Sequence, residues 1–268
     1  MQRLLLFKRL PSLCTGLLLF VAVSVRGQEL RIAAGVGFPL GSFGAASWQG
    51  DYGGFAGTGQ QLSVSYVYRP TYGFGWSATL LGRRNPVNTR KLAGQPLSTE
   101  GWVEGQPPQT PIHYLGPWTA DRDQWWTGSL LVGGQKYQQL SRDNRLSLAL
   151  QAAVGIAYVR MAELKGSMKT DTMSATFTQE SSTDWAFALM GGAALRYELP
   201  SGLQLLLGVR YFAIPHLHFS RVVRKTATVH GSPGDLSSNA WIQGAQTRTD
   251  QNRNMQSLDF NLGLVFQL

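Results

Sequence analysis

Two residues of this sequence are spaced as a general base and a nucleophile would be on a β-strand. His218 and Ser220 are two positions apart, and residues two apart on a strand point to the same face, so that the imidazole could take the proton of the hydroxyl. Leu207 and Tyr211 are apolar and odd-numbered, so the odd-numbered residues are predicted to face outward. His218 and Ser220 are even-numbered, so their side chains are predicted to face inward. A bulge at Pro215 would reverse that orientation. No acidic residue is placed by its spacing as a third member, so the sequence predicts no catalytic site.

Other chemistry-bearing patterns are missing from the sequence. No group of residues has the spacing of a metal site, a phosphate-binding loop or a catalytic triad, so we expect no metal and no cofactor. The chain has 24 Lys and Arg, 15 Asp and Glu, and a net charge of +9. A basic balance can indicate nucleic-acid binding, but the charges lie mostly in loops and no recognition helix or stacking motif accompanies them. The sequence therefore predicts no nucleic-acid partner.

The N-terminus has the pattern of a secretory signal peptide. A basic start precedes an apolar stretch at 17–25 that is too short to span a bilayer as a helix. Small residues end this stretch, and we expect cleavage before Gln28. The predicted organisation is a signal peptide at 1–27 and one domain at 28–268. Cleavage removes the single cysteine, with four basic and no acidic residues, and leaves a net charge of about +5.

Eight segments alternate between apolar residues and polar or small residues. In the last segment, 258–268, one parity is wholly apolar and the other carries Asp259 and Asn261. A strand with this pattern has one apolar face and one polar face. The chain is rich in glycine, with 31 residues, and shows no sustained helical periodicity. The other segments lie at 30–40, 62–68, 74–83, 125–134, 146–158, 184–199 and 203–213.

The connections between these segments alternate in length. Turns at 70–73 and 200–202 are short, whereas 84–124 and 215–256 are long. This sorting is typical of outer-membrane barrels, and it predicts an all-β, eight-stranded antiparallel up-and-down transmembrane β-barrel with short periplasmic turns and long extracellular loops. Aromatic residues near both ends of the strands predict two interfacial belts.

Two structural alternatives remain at this point. A soluble barrel such as a lipocalin would turn the apolar row inward around a ligand, but charged residues are too sparse in the strands to coat its outside. Weak alternation at 222–230, together with 239–249, predicts either a hairpin above the membrane or two further strands. We take eight strands as the better count, because basic residues lie on both faces of 222–230 and neither face suits lipid.

The inward rows predict a polar network inside the barrel. Small residues dominate these rows, and the charged members are Arg196, Glu198, Arg210 and Asp259. An eight-stranded interior is just wide enough to be filled by side chains. Buried charges must be neutralised, so we expect a paired, hydrogen-bonded plug. A narrow conduit for ions or small solutes is the alternative.

Basic residues open two of the long loops and predict contacts with lipid A phosphates through charge-assisted hydrogen bonds. They are Arg83, Arg84, Arg90, Lys91, Arg221, Arg224 and Lys225. The loops also hold Trp48, Trp102, Trp118 and Trp241 among Gly and Pro, a composition that suits a recognition surface.

Three stretches resemble a known family. They are AAGVGFPLGSFG at 33–44, YVYRP at 66–70 and LDFNLGLVFQL at 258–268. They look like the outer-membrane β-barrel domain proteins of Bacteroidota, the PorT-like group, which are similar in architecture to small OmpA- and OmpX-type barrels. The resemblance implies insertion by the barrel assembly machinery with the last strand as signal, and it implies no biochemical activity. We expect no peptidoglycan-binding domain.

Together these observations predict a non-enzymatic protein of the outer membrane of a Gram-negative bacterium. Its expected partners are outer-membrane lipids, including lipopolysaccharide, and an extracellular ligand of unknown identity. We expect a surface-binding or envelope-stabilising role through the long loops. A narrow channel is the first alternative. The second is a lipid hydrolase, because the His218 and Ser220 pair is loosely similar to one in outer-membrane lipid A deacylases.

Overall fold

A computed structural model describes most of the chain after the predicted signal peptide. The described residues are 27–45, 54–71, 73–93, 97–99, 112–114, 119–121, 123–143, 145–169, 173–229 and 241–268. The segment 1–26 and the loop residues Trp48, Trp102 and Trp118 lie outside them, as does the side chain of Trp241.

Eight antiparallel strands close into a barrel. They are β1 (Gln28–Leu40), β2 (Gly59–Thr71), β3 (Phe74–Pro86), β4 (Gln124–Gln139), β5 (Leu146–Arg160), β6 (Thr183–Glu198), β7 (Gln204–Val229) and β8 (Trp241–Gln267). Each strand pairs with its neighbours in sequence, and β8 pairs with β1 to close the cylinder. The predicted eight-stranded up-and-down barrel is confirmed.

Side-chain alternation sorts the two faces of the wall. On β3 every even-numbered residue is exposed and every odd-numbered residue from Gly75 to Asn85 is buried. The outward rows are largely apolar, and their exposure reaches 67% at Trp185 and 63% at Leu262. A polar exterior around an apolar ligand cavity would require the reverse arrangement, so the lipocalin alternative is wrong.

The connections differ at the two ends of the barrel. Turns at 72–73, 140–145 and 199–203 lie at one end, called here the turn end, together with the start of β1 and the end of β8. Gly73 and Gly202 adopt φ of 91° and 80°, a conformation that favours glycine in tight turns. Connections at 41–58, 87–123, 161–182 and 230–240 lie at the other end, called the loop end.

Strands β7 and β8 are far longer than the sequence predicts. The hairpin expected above the membrane from 222–230 and 239–249 is present, and it continues β7 and β8 to Val229 and Trp241 instead of adding two strands to the barrel wall. The outer part of β7 pairs with Met173–Gln179, which pairs with Leu164–Lys169, which pairs with Thr119–Ala120. These strands form one surface beyond the barrel wall, called here the loop-end sheet.

Helices contribute little to the described part of the chain. Two short ones, Gly41–Gly44 and Thr89–Ala93, follow β1 and β3 at the loop end. Within the described ranges, neither of them nor any other helix has the length and apolar content needed to span a membrane.

Candidate functional site

A buried carboxylate organises the lumen at the turn end. Glu29 is 1% exposed and forms ion pairs with Arg31, Arg69 and Arg196. Its Oε2 accepts a hydrogen bond from Arg31 Nη2 at 2.6 Å, and its Oε1 accepts one from Arg196 Nη2 at 2.9 Å. Charge-assisted bonds of this kind are roughly twice as strong as neutral ones. A single acid therefore holds side chains from three strands together.

Tyr137 completes this turn-end layer. Its ring lies 4.7 Å from the Arg69 guanidinium carbon and 5.1 Å from that of Arg196, within the range of cation–π attraction. Its hydroxyl donates to Gln135 Oε1 at 2.7 Å, which also accepts from Arg31 Nη1 at 2.6 Å. The layer is therefore a connected network and not a set of separate pairs.

A second group of polar side chains, called here the middle layer, lies further towards the loop end. Arg83 and Asp259 form an ion pair in which both side chains are 1% exposed. Arg83 also donates to Ser257 Oγ and, at 3.2 Å, to Gln61 Oε1. Arg210 donates through Nη1 to Ser63 Oγ at 3.3 Å.

Towards the loop end the lumen becomes apolar. The buried cluster there includes Trp125, Phe212, Leu217, Phe219 and Met255. The Arg83 guanidinium carbon lies 4.7 Å from the Phe212 ring centroid, where the polar and apolar parts of the lumen meet.

The segment after β1 covers the loop end of the lumen. Phe43 and Phe55 are buried, and Phe43 packs edge-on against Trp125 with ring centroids 5.4 Å apart. Trp125 Nε1 donates to the carbonyl of Gly54 at 3.0 Å, which fixes the cover to β4. Phe55 has a φ of 47°, a strained conformation for an aromatic residue. We call residues 41–45 and 54–57 the cover.

The structure divides the predicted lumen network between the two layers. Arg196 belongs to the turn-end layer, where it donates to Gln204 Oε1, and Glu198 accepts from Gln204 Nε2 at 3.2 Å. Arg210 and Asp259 belong to the middle layer and are register partners on β7 and β8.

The expected position of Arg83 is wrong. Arg83 was expected at a lipid A phosphate, but it is 3% exposed and points into the lumen. The physical reason is parity, because β3 continues past it and Ser77, Thr79 and Leu81 all face inward with it. Extending that inner row by one step would have placed it correctly.

Sequence reasoning also missed the acid on which the turn-end layer depends. Glu29 precedes the predicted start of the first strand at residue 30, whereas β1 begins at Gln28. Arg31 has the inward parity and was not included in the predicted network. Gln135 and Tyr137 lie beyond the predicted end of the fourth strand.

Other predicted phosphate contacts do lie on the outside of the loop end. Arg84 is exposed and donates through Nε and Nη2 to Gln60 Oε1 at 3.0 and 2.6 Å. Arg90 and Lys91 are exposed on the short helix after β3. Arg224 pairs with Glu180 at 2.8 Å. The side chains of Arg221 and Lys225 lie outside the described residues.

A bulge in β7 sets the orientation of the His218 and Ser220 pair. The strand carries one extra residue between Ile214 and Leu217 relative to β8, and His216 there has a φ of 57°. Leu217 is consequently buried, while His218 is exposed on the outside and Ser220 is half-buried. The inward orientation predicted from parity is wrong, and the alternative with a bulge at Pro215 is the one observed.

An acidic residue lies next to this pair. Asp184 Oδ2 accepts a hydrogen bond from the backbone N–H of His218 at 2.7 Å, and Oδ1 accepts one from the backbone N–H of Trp185 at 2.8 Å. Trp185 is the most exposed large apolar residue of the outward rows described. Asp184 therefore binds the backbone beside His218 at the outer edge of the apolar band. Among the described residues, no group of three His, Cys, Asp or Glu side chains could hold a metal ion.

Comparison with known proteins finds likeness at the level of structure. No protein-family model matches the chain, and no curated protein sequence matches it. Neisserial surface protein A is 11% identical, with 90% of this chain and 97% of that chain covered and a TM-score of 0.44. A major outer-membrane protein from Thermus thermophilus is 16% identical, with 90% and 100% covered and a TM-score of 0.44. Ail, the attachment invasion locus protein of Yersinia pestis, is 10% identical, with 90% and 100% covered and a TM-score of 0.32. At such low similarity the fold assignment rests on the strand pairing itself, and the PorT-like grouping stays a prediction.

Proposed function

We propose that this chain is a non-enzymatic β-barrel of the outer membrane of a Gram-negative bacterium that acts at the cell surface through its loop-end sheet. The membrane location is supported by the continuous outward band of apolar side chains, because an exposed apolar surface of this size is unfavourable in water and favourable in lipid. In this proposal the segment 1–27 directs export. The barrel assembly machinery then inserts the chain with β8 as its signal.

The observation that carries the surface role is the length of β7 and β8. The two strands have 26 and 27 residues, whereas roughly 9 to 11 residues span a bilayer as a tilted strand. Pairing continues outward to Thr228 and Trp241. Three further strands add to the same sheet, so many residues of the chain form ordered structure beyond the bilayer. Ordered structure that the barrel holds beyond the bilayer supports recognition of a partner.

The lumen is less suited to act as a conduit than the loop-end sheet is to act as a binding surface. Its loop half is filled by apolar side chains, and the cover closes that end with Phe43 and Phe55. Its turn half is crossed by the network around Glu29. For this reason we do not propose steady conduction.

Lipopolysaccharide is the proposed lipid partner of the outer rim. Arg84, Arg90 and Lys91 are exposed where the apolar band ends at the loop end, the level at which lipid A phosphates lie in an outer leaflet. Guanidinium groups bind phosphate through paired, charge-assisted hydrogen bonds. These residues would anchor the barrel while the loop-end sheet remains free for a ligand.

The test removes the β7 and β8 part of the loop-end sheet, to which its other strands attach, and keeps the barrel. Ser220 and Asp250 are register partners, so residues 221–249 can be replaced by Asn-Gly, the preferred two-residue hairpin turn. Labelled protein in micelles is applied to arrays of host glycans and extracellular-matrix proteins. We expect binding by the full chain and its loss in the shortened variant, which should remain heat-modifiable on gels.

A matched control shortens a different loop. Leu97 and Tyr114 are register partners in the hairpin between β3 and β4, and replacing residues 98–113 by Asn-Gly leaves the loop-end sheet in place. Binding that survives removal of 221–249 would contradict the proposal. A second test removes the codons for 221–249 from the chromosomal gene. Cells that then bind the ligand and resist detergent as well as the parent cells would also contradict the proposal.

A lipid hydrolase is the second candidate, and one observation favours it. The bulge turns His218 outward beside Asp184 and Trp185, at the level where a lipid ester could reach it. Overexpression in an outer membrane should then release acyl chains from lipid A, and Ser220→Ala should abolish the release. Mass spectra of lipid A with all acyl chains retained in both strains would exclude this activity.

A further inference from the structure

The middle layer of the lumen contains more positive than negative charge. Arg83 and Arg210 are 3% and 5% exposed, and Asp259 is 1% exposed. Asp259 pairs with Arg83, which leaves the charge of Arg210 facing only the hydroxyl of Ser63 in the hydrogen bonds of this layer. An uncompensated buried charge is strongly destabilising, so a group of opposite charge is expected beside it.

Several buried N–H groups of the same layer have no partner among the described residues. They are Arg210 Nε and Nη2, Arg83 Nε, Gln61 Nε2 and Asn261 Nδ2. Each of these side chains is at least nine-tenths buried. The unpaired acceptors of these rows are Asp259 Oδ1 and Asn85 Oδ1, so donors exceed acceptors. Leaving a buried donor unsatisfied costs about 1 to 3 kcal/mol.

Strand register places these donors in two neighbouring inward rows. Arg83 opposes Gln61, Gln61 opposes Gly35, and Gly35 opposes Asn261. The next inward row places Gly37 opposite Asp259, and Asp259 opposite Arg210. The rows run from β3 round to β7, so Arg83 and Arg210 face each other across the lumen.

Glycines among these rows let polar side chains lie close to the wall. A Cβ at Gly37 would lie 2.8 Å from Asp259 Oδ1, and a Cβ at Gly208 would lie 2.8 Å from Asn261 Oδ1. The polar side chains thus lie flat against glycine backbone. Their polar ends therefore stay at the level of the layer.

We propose that a small monovalent anion, of the size and charge of chloride, binds inside the barrel at Arg210, Arg83 and Asn261. One negative charge balances the excess positive charge of the layer, and a spherical acceptor can take N–H groups from several directions. A dianion would reverse the imbalance.

The first test measures unfolding at constant ionic strength. The full mature chain is unfolded by urea in micelles while chloride replaces gluconate, an anion too large for the layer. Above the dissociation constant, the folding equilibrium constant should increase about tenfold for each tenfold rise in chloride. Arg210→Gln removes the excess charge and should abolish this dependence. Lys136→Gln, an exposed cation near the turn end, should leave it unchanged.

The second test needs no variant, so a failure of Arg210→Gln to fold would not affect it. Crystals grown in bromide should show an anomalous peak within hydrogen-bond distance of Arg210. Any of three results would overturn the proposal. They are a wild-type stability that does not change with halide, a chloride dependence that persists in Arg210→Gln, and bromide found only at the protein surface. The result is independent of any surface ligand.

Discussion

Glu29 is the single residue on which the turn-end layer depends most. Its two oxygens face three guanidinium groups, and Tyr137 packs among the same cations. No other acid takes part in ion pairs with these arginines in the described chain. Its removal would leave several buried positive charges together.

We predict that Glu29→Gln lowers the free energy of unfolding by about 3 to 5 kcal/mol, the cost of breaking a buried ion pair from one side. Urea unfolding in micelles measures it. The control is Glu180→Gln, which breaks the exposed pair with Arg224 and should cost only about 0 to 1 kcal/mol. Equal effects of the two substitutions would show that the network around Glu29 contributes no special stability.

Residue positions were predictable where a strand was recognised over its full length. Parity alone placed Arg196, Arg210 and Asp259 towards the lumen, because each lies inside a long alternating run. It was not extended to Glu29 and Arg83, because Glu29 precedes the predicted start of the first segment and Arg83 is the last residue of the predicted third segment. There the apolar partners that reveal alternation give way to loop composition, and the parity signal fades.

At the scale of elements, the bulge in β7 determines which residues face the apolar interior near the loop end. The backbone N–H of His216 donates to Asn254 Oδ1 at 3.1 Å, which secures the extra residue against β8. Beyond it Leu217 and Phe219 are 1% exposed. A single residue thus exchanges the inward and outward rows of the outer half of β7.

We predict that deleting His216 turns Leu217 and Phe219 outward and His218 inward. Losing the burial of two large side chains should cost roughly 3 to 6 kcal/mol. The orientation is read by maleimide labelling of His218→Cys, which should label in the parent and not in the deletion. His216→Gly keeps the residue count and suits the positive φ, so the introduced thiol should still label in that background. Unchanged labelling after the deletion would contradict this account of the bulge.

The elements themselves were largely predictable. All eight strands were recognised, since lipid outside and polar groups inside enforce alternation. The outer halves of β7 and β8 were expected as a hairpin or as two further strands and not as continuations of the wall strands, because basic residues lie on both faces of 222–230 and the alternation there is weak. A strand without a buried face carries little periodic signal, and only its pairing in the structure identifies it.

At the scale of the whole molecule, the barrel is inverted relative to a soluble protein. Apolar side chains surround the wall, and ion pairs lie within it. Closure, strand number and the sorting of turns and loops followed from the sequence. The filling of the lumen did not, because which side chains meet across a barrel depends on stagger between strands, and no single strand encodes that stagger.

The orientation of the wall is tested most directly by arginine in the apolar band. Leu207 and Leu262 are register partners and are 58% and 63% exposed. Leu207→Arg and Leu262→Arg should each lower stability by roughly 2 to 4 kcal/mol in a bilayer, with reduced heat-modifiable protein in the outer-membrane fraction. Leu140→Arg, the same exchange at a residue 49% exposed in the turn after β4, should leave both unchanged. If arginine at Leu207 and Leu262 is tolerated as well as at Leu140, hydrocarbon does not surround this barrel.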